Sequence, residues 1–199
     1  MAKLLFFDEG HVYKIGDETL PSVSEITRFI SREIYGTVGQ YTLDNAADRG
    51  TRVHKACEIL DKYGKVDVSE DIVPYIQAYI KFRKEHTVVW DKIEHALYHP
   101  ELSFAGTLDR LGTLDGKRVI LDIKSTRTLQ KVSATAQLNL YKMLAEANGE
   151  AIDSLYILHI RNTGDYKLHE MPIDPTTALA CLTLHNALKK KARKKKNGE

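Results

Sequence analysis

Two runs, Ser103-Phe-Ala-Gly-Thr-Leu-Asp-Arg-Leu-Gly-Thr-Leu114 and Lys117-Arg-Val-Ile-Leu-Asp-Ile-Lys124, decide the fold of this chain. Asp115-Gly116 between them is a tight-turn pair, so the runs read as antiparallel strands of a hairpin. Counted outward from that turn, Asp109 and Asp122 fall at similar distances, which places both acids on neighbouring strands within reach of one cation. Asp122 follows the apolar Val119-Ile-Leu121, and side chains alternate along a strand, so Asp122 and Lys124 share a side. A carboxylate pair suits a hard divalent cation such as Mg²⁺ or Mn²⁺, while a nearby ammonium orients or deprotonates a water and balances charge on a phosphate. The Asp-x-Lys spacing recurs at Asp115-Gly-Lys117 and Asp165-Tyr-Lys167, both beside turns, and only Asp122 has a buried strand before it and a second acid nearby. Read alone, the two acids are also ordinary residues of a half-exposed sheet. Gly106, before Asp109, lets another backbone or a ligand approach closely.

Working outward, Val88 to Tyr98 adds a third strand, so the centre is a three-stranded meander. Ser133 to Asn148 reads as a helix with Gly149 as its stop, followed by strands Ser154 to Arg161 and Tyr166 to Ile173. Pro175 opens a last helix that runs into the basic tail. Towards the N-terminus, Leu4 to Phe7 and Val12 to Ile15 form a hairpin around Asp8-Glu-Gly-His11. Helices follow from Pro21, from Leu43 to Tyr63 and around Ile72 to Ile80, with a Gly-bearing loop from Tyr35 to Tyr41. This order predicts an α/β fold, a mixed β-sheet flanked by helices.

The second of those helices carries Arg49-Gly-Thr-Arg-Val-His54-Lys-Ala-Cys-Glu58, with His54 and Glu58 on one face. An imidazole suits Mn²⁺ beside carboxylates, although a lone helical histidine is more often structural. Gln137 and Tyr141 stand at i and i+4 on the helix after Lys124, so both can face the strand ends or form its polar edge.

At 199 residues, 43% of them hydrophobic, the chain suffices for one core, read as a single domain over 1–188 with a basic tail over 189–199. That tail holds seven cationic residues and one acid, so the remainder of a chain of net charge +2 is acidic, at −4. A polyanion would therefore meet a local cationic groove or the tail rather than a favourable overall field. The tail adds affinity for such a polyanion or is a frayed helix end. Cys57 and Cys181 are the only cysteines, too few for a disulfide framework or a Cys-rich cluster, and no apolar run approaches the roughly 20 residues that span a bilayer. A soluble, cytoplasmic protein without membrane association is expected.

In order and spacing these pieces resemble the PD-(D/E)XK nuclease superfamily, and within it the RecB-type exonuclease branch, from Pro21 to Tyr141. The resemblance rests on Gly-Thr-Leu-Asp109, Leu-Asp122-Ile-Lys124-Ser-Thr, Arg49-Gly-Thr-x-x-His54 and Gln137-x-x-x-Tyr141. His11-x-Tyr13 and Leu20-Pro-Ser-Val-Ser24 extend it towards the N-terminus. It implies a restriction-endonuclease-like mixed sheet flanked by helices. It further implies a Mg²⁺- or Mn²⁺-dependent deoxyribonuclease, in its branch an exonuclease, acting in phage or bacterial DNA processing, recombination or repair.

By the same resemblance Asp109, Asp122 and the Ile123 carbonyl coordinate the cation, His54 completes the site and Lys124 positions the attacking water. Gln137 and Tyr141 support Lys124 or contact DNA, and Glu58 and Glu94 occupy places where the family often has an acid. Arg49, Arg52, Lys55 and Arg127 lie close enough in the motif map to neutralise flanking phosphates, or are solvated surface charges. Leu108 replaces the proline of the family's name, a change common in this branch. Members with an iron–sulfur cluster use four cysteines, so no cluster is expected here. The implied partner is single- or double-stranded DNA with free ends, with an oligomer or a recombination protein as further partners. A non-catalytic DNA-binding module with the same fold and an enzyme acting on small phosphate esters are the competing readings. The complete acid, acid and lysine set argues against the first, and the arginine-flanked His54 helix against the second.

Overall fold

The computed structural model describes residues 3–7, 10–35 and 40–196, with the backbone alone at 31–35, 40–43 and 193–196. The core of the fold is the predicted meander, β4 (Val88–His99), β5 (Phe104–Leu114) and β6 (Lys117–Lys124), all antiparallel. Helix α4 (Lys131–Ala147) crosses over from β6 to β7 (Ser154–Ile160), which pairs parallel to β6, and β8 (Tyr166–Met171) returns antiparallel. The result is a five-stranded mixed sheet in sequence order. Strict alternation along β6 explains its place at the centre. Val119, Leu121 and Ile123 face one layer of helices and Ile120 faces the other, so the strand is buried on both sides.

One layer joins α1 (Val23–Tyr35), α4 and α5 (Pro175–Lys196) through Ile26, Leu138, Leu144, Ala178 and Leu182. The N- and C-terminal helices thus hold together by apolar packing. The other layer joins α2 (Gln40–Tyr63) and α3 (Val73–Glu85) through Val53, Cys57, Ile76, Tyr79 and Phe82. These form the expected flanked sheet. Among the described residues no helix is long and apolar enough to cross a membrane.

One feature of the N-terminal segment departs from the sequence expectation. The N-terminal hairpin, β1 (Leu4–Phe7) and β2 (Val12–Ile15), gains a third strand, β3 (Glu18–Leu20), and forms a separate antiparallel sheet. Three residues between Gly16-Asp17 and Pro21 are too few to show a period. The expected loop from Tyr35 to Tyr41 falls largely on 36–39, and the turn acids Asp8 and Glu9 on 8–9, all outside the described residues. Residues 197–199 of the tail lie outside them as well, and Lys189 to Lys196 continue α5 without a break.

Strand β4 also carries an irregularity between Trp90 and Lys92, where it shifts register against β5. Gly112 makes it possible. A methyl group there would stand 2.1 Å from the Val89 carbonyl and 2.8 Å from the Trp90 Cα, both backbone atoms that cannot rotate away. Gly112→Ala is therefore expected to destabilise the fold by about 3 kcal/mol or more, read as a fall in Tm, whereas an unchanged Tm would show that the bulge does not need the glycine.

Candidate metal centre and nucleic-acid cleft

The hairpin brings the two acids together as expected, but the strands part just before them. The regular β5–β6 register ends at Arg110 opposite Leu121, one pair short of Asp109 and Asp122. At the opening, the buried Asp109 carboxylate takes the place of a backbone acceptor: its Oδ2 accepts the Ile123 N–H at 2.7 Å. The Ile123 carbonyl lies 2.9 Å from His54 Nε2, while His54 Nδ1 stands 3.4 Å from Asp109 Oδ2. Glu94 of β4 completes this group, with Oε1 3.8 Å from His54 Nδ1. Its backbone is left-handed, with φ of 47°, a conformation a glutamate rarely adopts.

On the side of the strand facing α4, Lys124 Nζ stands 2.9 Å from Asp122 Oδ2 and donates to Gln137 Oε1 at 3.0 Å. Gln137 in turn donates to the Tyr141 hydroxyl at 3.3 Å. The amide and phenol thus face the strand end, in support of Lys124. Gly106 is indeed a point of close approach, but side chains fill it: an added Cβ would meet Val23 at 2.8 Å and Tyr141 at 2.9 Å.

Electrostatics divides the carboxylates. Burial pushes Asp109 up, but the His54 charge and hydrogen bond, Lys124 and the Ile123 N–H outweigh it and hold it below the ordinary carboxylate range. Burial pushes Asp122 above that range and Asp109 adds to the push, against the opposing pull of Lys124 and His54. For His54, burial favours the neutral ring, yet Asp109 and Glu94 prevail and raise its pKa to about 10.

These donors fit a hard divalent cation. His54, Glu94 and Asp109 each offer one ligand atom, all within 4.8 Å of one another. In an octahedral shell with bonds of about 2.1 Å, neighbouring donors stand roughly 3 Å apart, close to the 3.4 Å between His54 Nδ1 and Asp109 Oδ2. Asp122 Oδ2 is buried and lacks a hydrogen bond of acceptable geometry, which leaves a lone pair available beside the group. Imidazole, carboxylate and carbonyl together suit a divalent cation and offer no thiolate for a softer metal.

Some expected residues stand elsewhere. Glu58 is held by Lys55 at 2.9 Å and Lys62 at 2.6 Å, as part of the helix surface. Arg52 forms a two-pronged pair with Asp71 and a further one with Asp48, so its charge is already matched. Arg49 and Arg127, by contrast, line a cleft of about 470 Å³ together with Tyr75, Ser125, Thr126, Arg161 and Asn162. The Arg49 guanidinium lies over the Tyr75 ring, and its Nε is buried without a hydrogen-bond partner. Sequence reasoning missed Arg161 and Asn162. The available signal was their place just after β7, because parallel neighbours β6 and β7 bring their carboxyl ends to one edge, where ligands of α/β sheets gather.

The family model of the PD-(D/E)XK nuclease superfamily matches residues 65–199, a span that includes Glu94, Asp109, Asp122, Lys124, Gln137 and Tyr141 but not His54. No curated protein matches the sequence. Among solved structures, SSO0001 shares 15% identity at a TM-score of 0.48, with 88% of this chain and 79% of that one covered. An alkaline exonuclease, LHK-Exo, from Laribacter hongkongensis shares 13% identity at a TM-score of 0.42, over 87% of this chain and 93% of that one. LHK-Exo in complex with dAMP gives 14% and 0.36, over 88% and 94%. With more than half of its length matched by the family model, this chain belongs to the PD-(D/E)XK nuclease superfamily.

Proposed function

We propose that the protein is a Mg²⁺- or Mn²⁺-dependent DNA exonuclease that hydrolyses phosphodiester bonds in DNA processing, recombination or repair. The observation that carries this reading is the position of Lys124. Its ammonium lies between Asp122 and Gln137, and the next residue, Ser125, already lines the cleft of Arg49, Arg127 and Arg161. An arginine-lined groove leading to an acid–lysine pair matches a polyanionic chain better than a small ester.

In the proposed mechanism Asp109, Asp122, His54 and the Ile123 carbonyl hold the cation, with Glu94 as a further carboxylate beside them. The bound ion supplies Lewis acidity and a more acidic water. Lys124 orients the attacking water and balances the charge that develops on the phosphate oxygens. Gln137 fixes the Lys124 amine, and Tyr141 fixes Gln137. Arg49 and Arg127 neutralise flanking phosphates. The resemblance of the His54, Asp109, Lys124 and Gln137 motifs to RecB-type enzymes supports dependence on a free end.

The test is cleavage of end-labelled linear DNA, single- and double-stranded, beside a covalently closed circle, with Mg²⁺ or Mn²⁺. Linear DNA shortened from its ends with the circle intact is the expected result. Cutting of the circle at the same rate would overturn the exonuclease reading. In the same preparation, Arg127→Ala is expected to weaken DNA binding and to lower the slope of log affinity against log salt by about one, and an unchanged slope would remove Arg127 from the phosphate path.

A further inference from the structure

Arg110 follows Asp109 on β5, and its side chain is fully buried, with 0% exposed. A buried guanidinium is expensive, and an apolar residue of similar volume would serve the packing between the sheet and α3 at least as well. The Arg110 fork, however, reaches towards the metal centre. Its NH1 donates to Glu94 Oε1 at 3.2 Å and to the Asp109 carbonyl at 2.7 Å. Its Nε donates to Asp61 Oδ2 at 2.7 Å, and NH2 has no partner. Asp61, 1% exposed, also accepts the Tyr79 hydroxyl at 2.6 Å and pairs with Arg83, which ties the fork to α2 and α3. At the far end Glu94 sits in its left-handed conformation, an arrangement that persists only where the surroundings impose it.

We infer that Arg110 is a positioning residue: anchored on Asp61, it holds the Glu94 carboxylate beside His54 and Asp109 as part of the metal-holding group. This rests on the metal-dependent reading above. Arg110 is too deeply buried to touch DNA, so it acts through Glu94 and through the backbone that presents Asp109. The Asp61, Tyr79 and Arg83 assembly explains why this strand position carries a charge.

The test is Mn²⁺ binding to metal-free protein by titration calorimetry, without DNA, in a cycle of Arg110→Lys and Glu94→Gln. Arg110→Lys keeps the charge but loses the fork, and is expected to weaken Mn²⁺ about tenfold. In the Glu94→Gln background the same change is expected to cost less than about threefold, because the group it positions is already altered. An equal loss in both backgrounds, or a lower Tm with unchanged affinity, would overturn the inference and leave Arg110 a structural residue. If Arg110→Lys does not fold, Asp61→Asn, which loosens the anchor, enters the same cycle with the same expected and overturning results. A wild-type protein that takes up no Mn²⁺ would overturn the metal-dependent reading as well, whereas wild-type uptake with an additive cycle would overturn the Arg110 inference alone.

Discussion

Lys124→Ala is expected to slow DNA cleavage by about a thousandfold, while Mn²⁺ affinity changes by less than about tenfold. The side chain is a quarter exposed, so its ammonium can meet a bound phosphate or water, whereas the Asp122 side chain beside it is 2% exposed. Losing the amine removes transition-state stabilisation and leaves Gln137 with no group to fix. It also removes the charge that pulls the Asp122 pKa down, so burial and Asp109 push that carboxyl still higher. In the metal-free variant this carboxyl should therefore titrate at higher pH, read by NMR without metal. Single-turnover cleavage of labelled DNA at saturating metal checks the loss of rate. A variant within about threefold of wild type would place the chemistry elsewhere.

Asp109→Asn is expected to abolish detectable cleavage and to weaken Mn²⁺ binding by on the order of a hundredfold or more. The asparagine carbonyl can still accept the Ile123 N–H, so the opening between β5 and β6 keeps its closure and the protein should fold. What disappears is the negative charge beside His54. In the metal-free protein the His54 pKa is raised to about 10 against the penalty of burial, with Asp109 the strongest of the groups that raise it. A folded pKa above the unfolded one means that His54 adds stability below about pH 6.5 and loses it as pH climbs towards 10. The stability gap between wild type and Asp109→Asn, measured by urea unfolding without metal, should accordingly narrow as pH rises through that window. An NMR titration should show His54 falling towards an ordinary imidazole value. A His54 pKa unchanged by the substitution would contradict the assigned charge pair.

The strand positions of Asp109, Asp122 and Lys124 were legible because alternation and the Asp115-Gly116 turn fix both side and register. Gln137 and Tyr141 were legible for the same kind of reason, since helical spacing puts them on one face. Glu94 was harder. It gains its place beside His54 in a strand that bulges between Trp90 and Lys92 and then turns left-handed, and neither irregularity has a periodic signal. Glu58 shares a helical face with His54 and pairs with Lys55 and Lys62, while Arg52 pairs with Asp71, contacts that helical spacing alone does not single out. Arg110 had a trace in the sequence, a second charge beside Asp109 in an otherwise uncharged strand, but its partner Asp61 lies 49 residues away on α2, and only the fold joins them.

The most direct test of the account is incubation of the purified protein with end-labelled DNA in Mg²⁺, in Mn²⁺ and in chelator. Cleavage with either metal, lost in chelator and restored on adding metal back, is the predicted result. DNA bound but uncut under both metals would contradict it.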